Sequence, residues 1–214
     1  SVHLGWHSVF WFLTGVGLFL WLANWRLLPE SLPPEGRQSI HLGHLLRGYW
    51  ELISSPRFML LALASGVPFN GMFLYVLSAP AFLGDLLGLA PQQFFWFFLC
   101  TISGIMGGAW MSGRLAGRIP PKHQIRHGFV IMLAMGLLNL GANLLFPAHV
   151  GWALWPIGIF SFGWALMVPV VTLLVLDLFP ARRGMASSLQ AFVGSTANGL
   201  VAGVVAPLVM HSTV

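Results

Sequence analysis

Charge is what this sequence has least of. Ten lysines and arginines and five aspartates and glutamates are its whole supply in 214 residues, against 57% hydrophobic residues and a mean hydropathy of +0.82. A water-soluble domain carries about a quarter of its residues as charges, so this composition excludes one and places the chain in lipid. A single cysteine, Cys100, rules out an internal disulfide and leaves the redox compartment unread. There is no phosphate-binding glycine loop, no nucleophile elbow and no pair of mid-span carboxylates. His41 and His44, and His123 and His127, have spacings that put two ligands on one helix face. Neither pair has a carboxylate or thiol nearby to complete a site, so no metal and no cofactor is expected.

What the chain does have is a set of long apolar runs around one polar stretch. Between Pro29 and Arg57 fall six of the charged residues and four of the fourteen prolines, a composition that belongs on the water side of a membrane. Within it, Leu42, Leu45, Leu46, Tyr49 and Ile53 recur at helical spacing opposite His41, His44, Arg47 and Glu51, which predicts an amphipathic helix on the membrane surface. One apolar run precedes the loop, at 8–28, and five follow, at 58–82, 92–112, 129–146, 152–178 and 185–210. Each is long enough for the ~30 Å hydrocarbon core. The expected fold is an all-α polytopic membrane protein with six transmembrane helices. The opening SVHLGWH has no initiator Met, no basic n-region and no cleavage site after the apolar run, so it reads as part of a longer protein and not as a signal peptide.

Six threaded spans put their five connections on two faces, and the cations sort completely. Arg26, Arg37, Arg47, Arg57, Arg114, Arg118, Lys122, Arg126, Arg182 and Arg183 all fall on the long-loop face, while the opposite face holds only Asp85. Cationic loops are retained in the cytoplasm, so the long loop is expected there. That topology accounts for every positive charge and leaves no basic surface for nucleic acid.

Polar groups inside the spans are few and fall in stripes. On the sixth span Ser187, Gln190, Gly194 and Asn198 share a face, and a Gln and an Asn turned toward hydrocarbon would be costly. Comparable stripes run through Gly66, Asn70, Phe73 and Leu77, through Trp96, Cys100, Ser103 and Gly107, and through Ser161, Trp164, Val168 and Thr172. They either hydrogen-bond neighbouring helices or line a cavity, and mixed aromatic and mildly polar groups suit small amphipathic molecules better than ions. The candidate cavity set is Asn70, Phe73, Trp96, Cys100, Ser103, Trp164, Thr172, Gln190 and Asn198. Small residues at 187, 191, 195, 199 and 203 make a smooth seam for another helix, and glycines at 104, 107 and 108 allow close backbone approach. Asp177, the only acid in any span, sits at the negative end of the helix dipole, which disfavours a carboxylate unless a cation offsets it; Arg114 or Arg118 is the expected partner in a cytoplasmic gate, the alternative being a solvated helix-end charge. Pro68 and Pro169 lie at similar depth, eleven residues from Arg57 and thirteen from Arg182, and predict paired bends.

Taken in order, LPESLPPEGR, Tyr75-Val-Leu-Ser78-Ala79-Pro80, Pro91-Gln-Gln-Phe94, SGRLAGRI, and Asp177-Leu-Phe-Pro180 followed by Gly184-Met-Ala-Ser-Ser-Leu189 resemble the Bcr/CflA drug-resistance transporters of the major facilitator superfamily. The resemblance covers essentially the whole chain. It implies helices six to eleven of a twelve-helix carrier: 1–28 the last helix of an N-terminal bundle, 29–57 the cytoplasmic inter-bundle loop, and 58–214 a C-terminal bundle lacking its last helix. It implies alternating access in a bacterial inner membrane, with export of drugs or small amphipathic molecules as protons enter. The lipid bilayer and the missing N-terminal helices of the same protein are then its partners. The proton-titrating acid would lie in those absent helices. The second, third, fifth and sixth spans would line the cavity, and the first and fourth would be peripheral. Gly113 stands where the family's loop motif usually has an acid, which leaves Arg114, Arg118 and Asp177 as the remainder of that relay. Two other classes stay open on the residues alone: a helical bundle without transport, which needs no shared polar space, and an integral-membrane enzyme, which needs clustered ionisable groups.

Overall fold

The computed structural model of the chain describes residues 5, 7–29, 41–79, 95–146 and 150–207. Among these there is no β-strand, and eight α-helices hold nearly all of them. They are α1 (His7–Leu27), α2 (Leu42–Ile53), α3 (Pro56–Gly66), α4 (Phe69–Ala79), α5 (Phe95–Leu115), α6 (Pro121–Leu145), α7 (Val150–Leu178) and α8 (Arg183–Leu200). A 3₁₀ turn, Pro180–Arg182, leads into α8, and a π-helical turn, Val201–Val205, continues it. Six helical segments are long and apolar enough to cross a membrane, α3 with α4 counting as one. The expected connection at 83–91 and the first three residues of the one at 147–151, with Arg37, Asp85 and Gln92, lie outside the described residues, while Val150 and Gly151 already belong to α7.

The chain divides into two compact units, Ser1–His44 and Leu45–Val214. In the first, α1 is apolar on every side and none of its residues is buried, as suits a helix whose solvent is lipid. Trp21 and Trp25 stack at 5.8 Å near its end, one turn apart.

The second unit is organised on α7. Met167, Val171 and Val175 on this helix are fully buried, and α3, α5, α6 and α8 all pack on it. The approach of α5 and α6 is set by glycine. A Cβ on Gly104 would collide with the Gly158 carbonyl oxygen and one on Gly108 with that of Phe162, so α5 and α7 touch backbone to backbone in parallel. Gly107, in contrast, meets only the Phe162 ring, at 3.4 Å. Gly128 and Gly163 do the same for α6 and α7, each Cβ position lying 2.7–2.9 Å from the other's carbonyl oxygen. In hydrocarbon, where apolar side chains gain little by leaving lipid, such close packing is what holds helices together.

These pairings also fix which helix ends meet. Phe58 at the start of α3 packs edge-on against Phe179 beyond α7, and Gln124 at the start of α6 reaches Ser112 near the end of α5. Arg57, Arg114, Arg118, Lys122, Arg126, Arg182 and Arg183 therefore lie at one end of this unit, as the charge pattern requires. Leu52, Phe58, Ala62, Val171, Val175, Ala186 and Leu189 form an apolar core just inside it. Helix α2 forms where expected but has two apolar faces. Gly48 and Leu52 are buried and Tyr49 is half-buried, while Leu46, Trp50 and Ile53 are exposed.

Three expectations change. The fourth span begins at Pro121, two turns before residue 129, because Pro at a helix's first position supplies the right φ and needs no amide hydrogen; hydropathy marks the edge of the bilayer, not of the helix. The two expected proline bends differ in helical continuity. The second span breaks at Val67–Pro68, where Asn70 and Gly71 bond back only three residues, to the Val67 and Pro68 carbonyls at 3.0 and 3.2 Å. Helix α7 stays continuous through Pro156 and Pro169. Gly66 immediately before the first break weakens that turn, whereas Pro169 sits among Met167, Val168, Val170 and Val171. Finally, the seam at Ser187, Ala191, Ser195, Gly199 and Gly203 is exposed, and the close approach on α8 is made by Gly194 on the adjacent stripe.

Candidate functional site

Where α3, α7 and α8 converge, Ser65 ties them together. A Cβ on Gly66 would stand 2.8 Å from the Gly194 Cα, so α3 and α8 cross at near contact there. Beside that crossing the Ser65 hydroxyl donates to the Ala62 carbonyl at 2.9 Å and accepts from Gln190 Nε2 at 3.0 Å. Gln190 Nε2 also reaches Thr172 Oγ1, at 3.2 Å. The Ser65 carbonyl accepts from the Trp164 indole N–H at 3.0 Å, and Ser65 itself is buried. The Trp164 ring lies 5.2 Å from Phe69, tilted by 47°, and Phe69 stacks on Phe73 at 6.1 Å. Asn70 follows, buried, its Nδ2 donating to the Val67 carbonyl at 3.1 Å beside the helix break. Its Oδ1 has no hydrogen-bond partner, and neither has the buried Oδ1 of Asn198. A group with hydrogen bonds and aromatic faces but no titratable side chain can bind and orient a molecule; it cannot itself take up a proton.

Of the expected cavity residues, Trp164, Thr172 and Gln190 are brought together directly, Phe73 and Asn70 join through Phe69 and its helix, and Asn198 lies one turn beyond Gly194. The α5 residues do not join them. Trp96 packs on Phe95 at 4.5 Å and is exposed, as is Ser103. Cys100 is half-buried, with its carbonyl 3.1 Å from a Cβ position on Gly158. Helix α5 turns Phe97, Thr101, Gly104, Gly108 and Ser112 toward α7, and this face rotates the neighbouring stripe aside.

Two residues escaped the sequence reading. Ser65 is the only serine or threonine in 56–77, a signal that was available. Gln124, fully buried, donates to Ser112 Oγ at 2.7 Å and to the Leu166 carbonyl at 2.9 Å, joining α5, α6 and α7. By hydropathy it falls in the connection between the apolar runs at 92–112 and 129–146.

At the charged end Asp177 finds a different partner from the one expected. Arg183 Nη2 stands 3.0 Å from its carboxylate, both side chains more than half exposed. The turn Pro180–Arg182 folds Arg183 back six residues on, nearer than Arg114 or Arg118. Arg114 instead covers the Trp110 ring at 4.3 Å, and Arg118 is exposed. A second ion pair, Glu51–Arg182, and the Tyr49 Oη···Ser188 Oγ bond of 3.0 Å fasten α2 to the α7–α8 connection and to α8 itself. Among the described residues there is no cluster of three metal-ligating side chains. A cleft of about 210 Å³ lies apart from the Ser65 cluster, between α4, α6 and α7, lined by Gly71, Met135, Asn139 and Pro156 among others. None of the expected cavity residues lines it.

Comparison with known proteins follows the same lines. The family model of the Major Facilitator Superfamily matches residues 1–202. A "Bicyclomycin resistance protein homolog" of Haemophilus influenzae is 24% identical over 97% of this chain and 52% of its own length. "Multidrug resistance protein D" of Escherichia coli is 25% identical over 95% of this chain and 50% of its own. An "Uncharacterized MFS-type transporter YdgK" of Bacillus subtilis is 31% identical over 62% of this chain and 33% of its own. The chain thus spans about half, or less, of the length of these relatives. No solved structure matches it.

Proposed function

Because the chain belongs to the Major Facilitator Superfamily, a superfamily of multi-pass membrane transporters and not of enzymes, we propose that it forms part of a proton-coupled exporter of drugs or small amphipathic molecules. The exporter works by alternating access in a bacterial inner membrane. The observation that carries this reading is the convergence of Ser65, Trp164, Thr172 and Gln190 from three helices on one polar, aromatic cluster. A bundle serving only as structure has no need to gather its scarce polar groups in one place. Resistance proteins among the relatives support the substrate class.

In this reading 1–28 is the last helix of an N-terminal bundle and 29–57 the inter-bundle loop. Residues 58–214 form a C-terminal bundle without its last helix, and further N-terminal helices of the same protein supply the other half of the cavity. Asn70, Phe73, Trp164, Thr172, Gln190 and Asn198 line this half. Trp96, Cys100 and Ser103 on α5 face the cavity only once the opposite half is present. Asp177, with Arg183 as its partner in the conformation described here, and Arg114 and Arg118 at the same end form the cytoplasmic gate. Protons are taken up outside the Ser65 cluster, which has no group to titrate.

The test is to express the full reading frame in a drug-sensitive bacterium and measure survival across a drug panel. Raised survival that disappears when the proton gradient is collapsed is the expected outcome. Survival equal to that of the empty vector across the panel removes the proposal.

A further inference from the structure

We infer that Asn70 and Asn198 form a two-point acceptor site, selecting ligands that present N–H or O–H donors to their side-chain oxygens. The inference rests on the export reading above and names the chemistry by which that cavity chooses its substrate.

Both oxygens are buried and both lack a partner, although a buried amide oxygen without a hydrogen bond is costly and uncommon. For Asn70 the orientation is fixed. Its Nδ2 donates to the Val67 carbonyl, so turning the amide over would set oxygen against oxygen and leave Oδ1 no better served. The two residues also share a level. Helices α3 and α8 run side by side in the same direction, Ser65 with Gln190 and Gly66 with Gly194, and four residues on from that crossing stand Asn70 and Asn198. Helix α4 stays packed against α8 and the π-helical turn beyond that point.

Each asparagine, moreover, stands at an irregularity in its helix. Asn70 follows the break at Val67–Pro68, and Asn198 lies three residues before the start of the π-helical turn, its backbone carbonyl sharing the Val201 amide with that of Ala197. Such departures from regular helix in a membrane span persist where a cavity or a ligand is served. An acceptor pair of this kind discriminates by what it leaves unmet. A ligand with two donors satisfies both oxygens, and one with none leaves them unsatisfied.

Two lipophilic cations make the test. Ethidium carries two aromatic amino groups and tetraphenylphosphonium carries no donor. Binding of each is titrated on the full-length protein in lipid nanodiscs, for the wild type and for Asn70→Leu and Asn198→Leu. Each substitution is expected to raise the ethidium Kd about tenfold while tetraphenylphosphonium, which also reports that the variant is folded, stays within about twofold. Ethidium dimethylated at each amino group, which leaves no N–H, should lose a similar factor on the wild type, a measurement that needs no variant. Equal binding of the methylated and parent dyes, or equal losses for both cations in the variants, overturns the acceptor site and leaves the export reading standing. Wild type that binds neither cation removes the export reading, and the acceptor site falls with it.

Discussion

At the crossing of α3 and α8, two glycines face each other with unequal room. A Cβ added to Gly66 lands 2.8 Å from the Gly194 Cα, while one added to Gly194 lands 3.6 Å from the Gly66 Cα. Ordinary carbon contacts are about 3.5–4.0 Å, so Gly66→Ala forces the two backbones apart by about 1 Å and Gly194→Ala does not. The same displacement stretches the 3.0 Å Gln190–Ser65 bond beyond hydrogen-bonding range. Overpacking costs about 1–3 kcal/mol and a lost interhelical bond about 0.6, set against about 0.8–1.0 gained from replacing glycine in a helix. The net loss for Gly66→Ala is about 2 kcal/mol; Gly194→Ala keeps only the gain. In a thermal melt of the purified protein, monitored by tryptophan fluorescence in nanodiscs, Gly66→Ala should lower Tm by about 4–8 °C while Gly194→Ala leaves it level or raises it by about 2–4 °C. Equal shifts for the two variants, or a larger loss at Gly194, would refute the crossing geometry and with it the placement of Ser65 against Gln190.

Gln124→Leu deletes both bonds that join α6 to α5 and α7 and should cost about 1–2 kcal/mol in the same melt; a variant as stable as wild type would show that those bonds contribute nothing net. Asn198→Leu removes an unmet acceptor, so its stability should hold or rise by up to about 1 kcal/mol, and a clear fall in Tm would mean that the oxygen has a protein partner. Asp177→Asn breaks an exposed pair and should change stability by less than about 0.5 kcal/mol. It should nevertheless leave the cytoplasmic end more accessible to a thiol reagent, read at a cysteine placed beside it; unchanged labelling and unchanged transport would end the gate proposal.

How much of this was legible beforehand follows from what lipid imposes. Six spans, their order and the shared end of the cations could be read because hydrocarbon admits few charges, so Arg57, Arg118 and Arg183 mark helix ends by themselves. Close approach at Gly104 and Gly108 was legible for a related reason, since small residues four apart are how membrane helices meet. Rotation about each helix axis was not. Lipid and protein interior are equally apolar, so nothing in the sequence of α5 says that Gly104 faces α7 while Trp96 and Ser103 do not. The partner of Asp177 depended on a 3₁₀ turn that hydropathy does not register, and Gln124 was hidden because its helix begins outside the apolar run. Pro68 and Pro169 looked alike at equal depth, and only their neighbours decided that one span would break.

The burial of α7 has a consequence for how the protein is made. Helices α5 and α6 follow one another from the ribosome, yet each packs chiefly on α7, and α3 divides itself between α7 and α8. None meets its main partner until the fifth span has entered the bilayer. Until then Gly104, Gly108 and Gly128 lie bare, matched only by lipid. Synthesis halted just before residue 150 would leave the second, third and fourth spans inserted with little to hold them to one another, and membrane quality control would meet that intermediate on every molecule made.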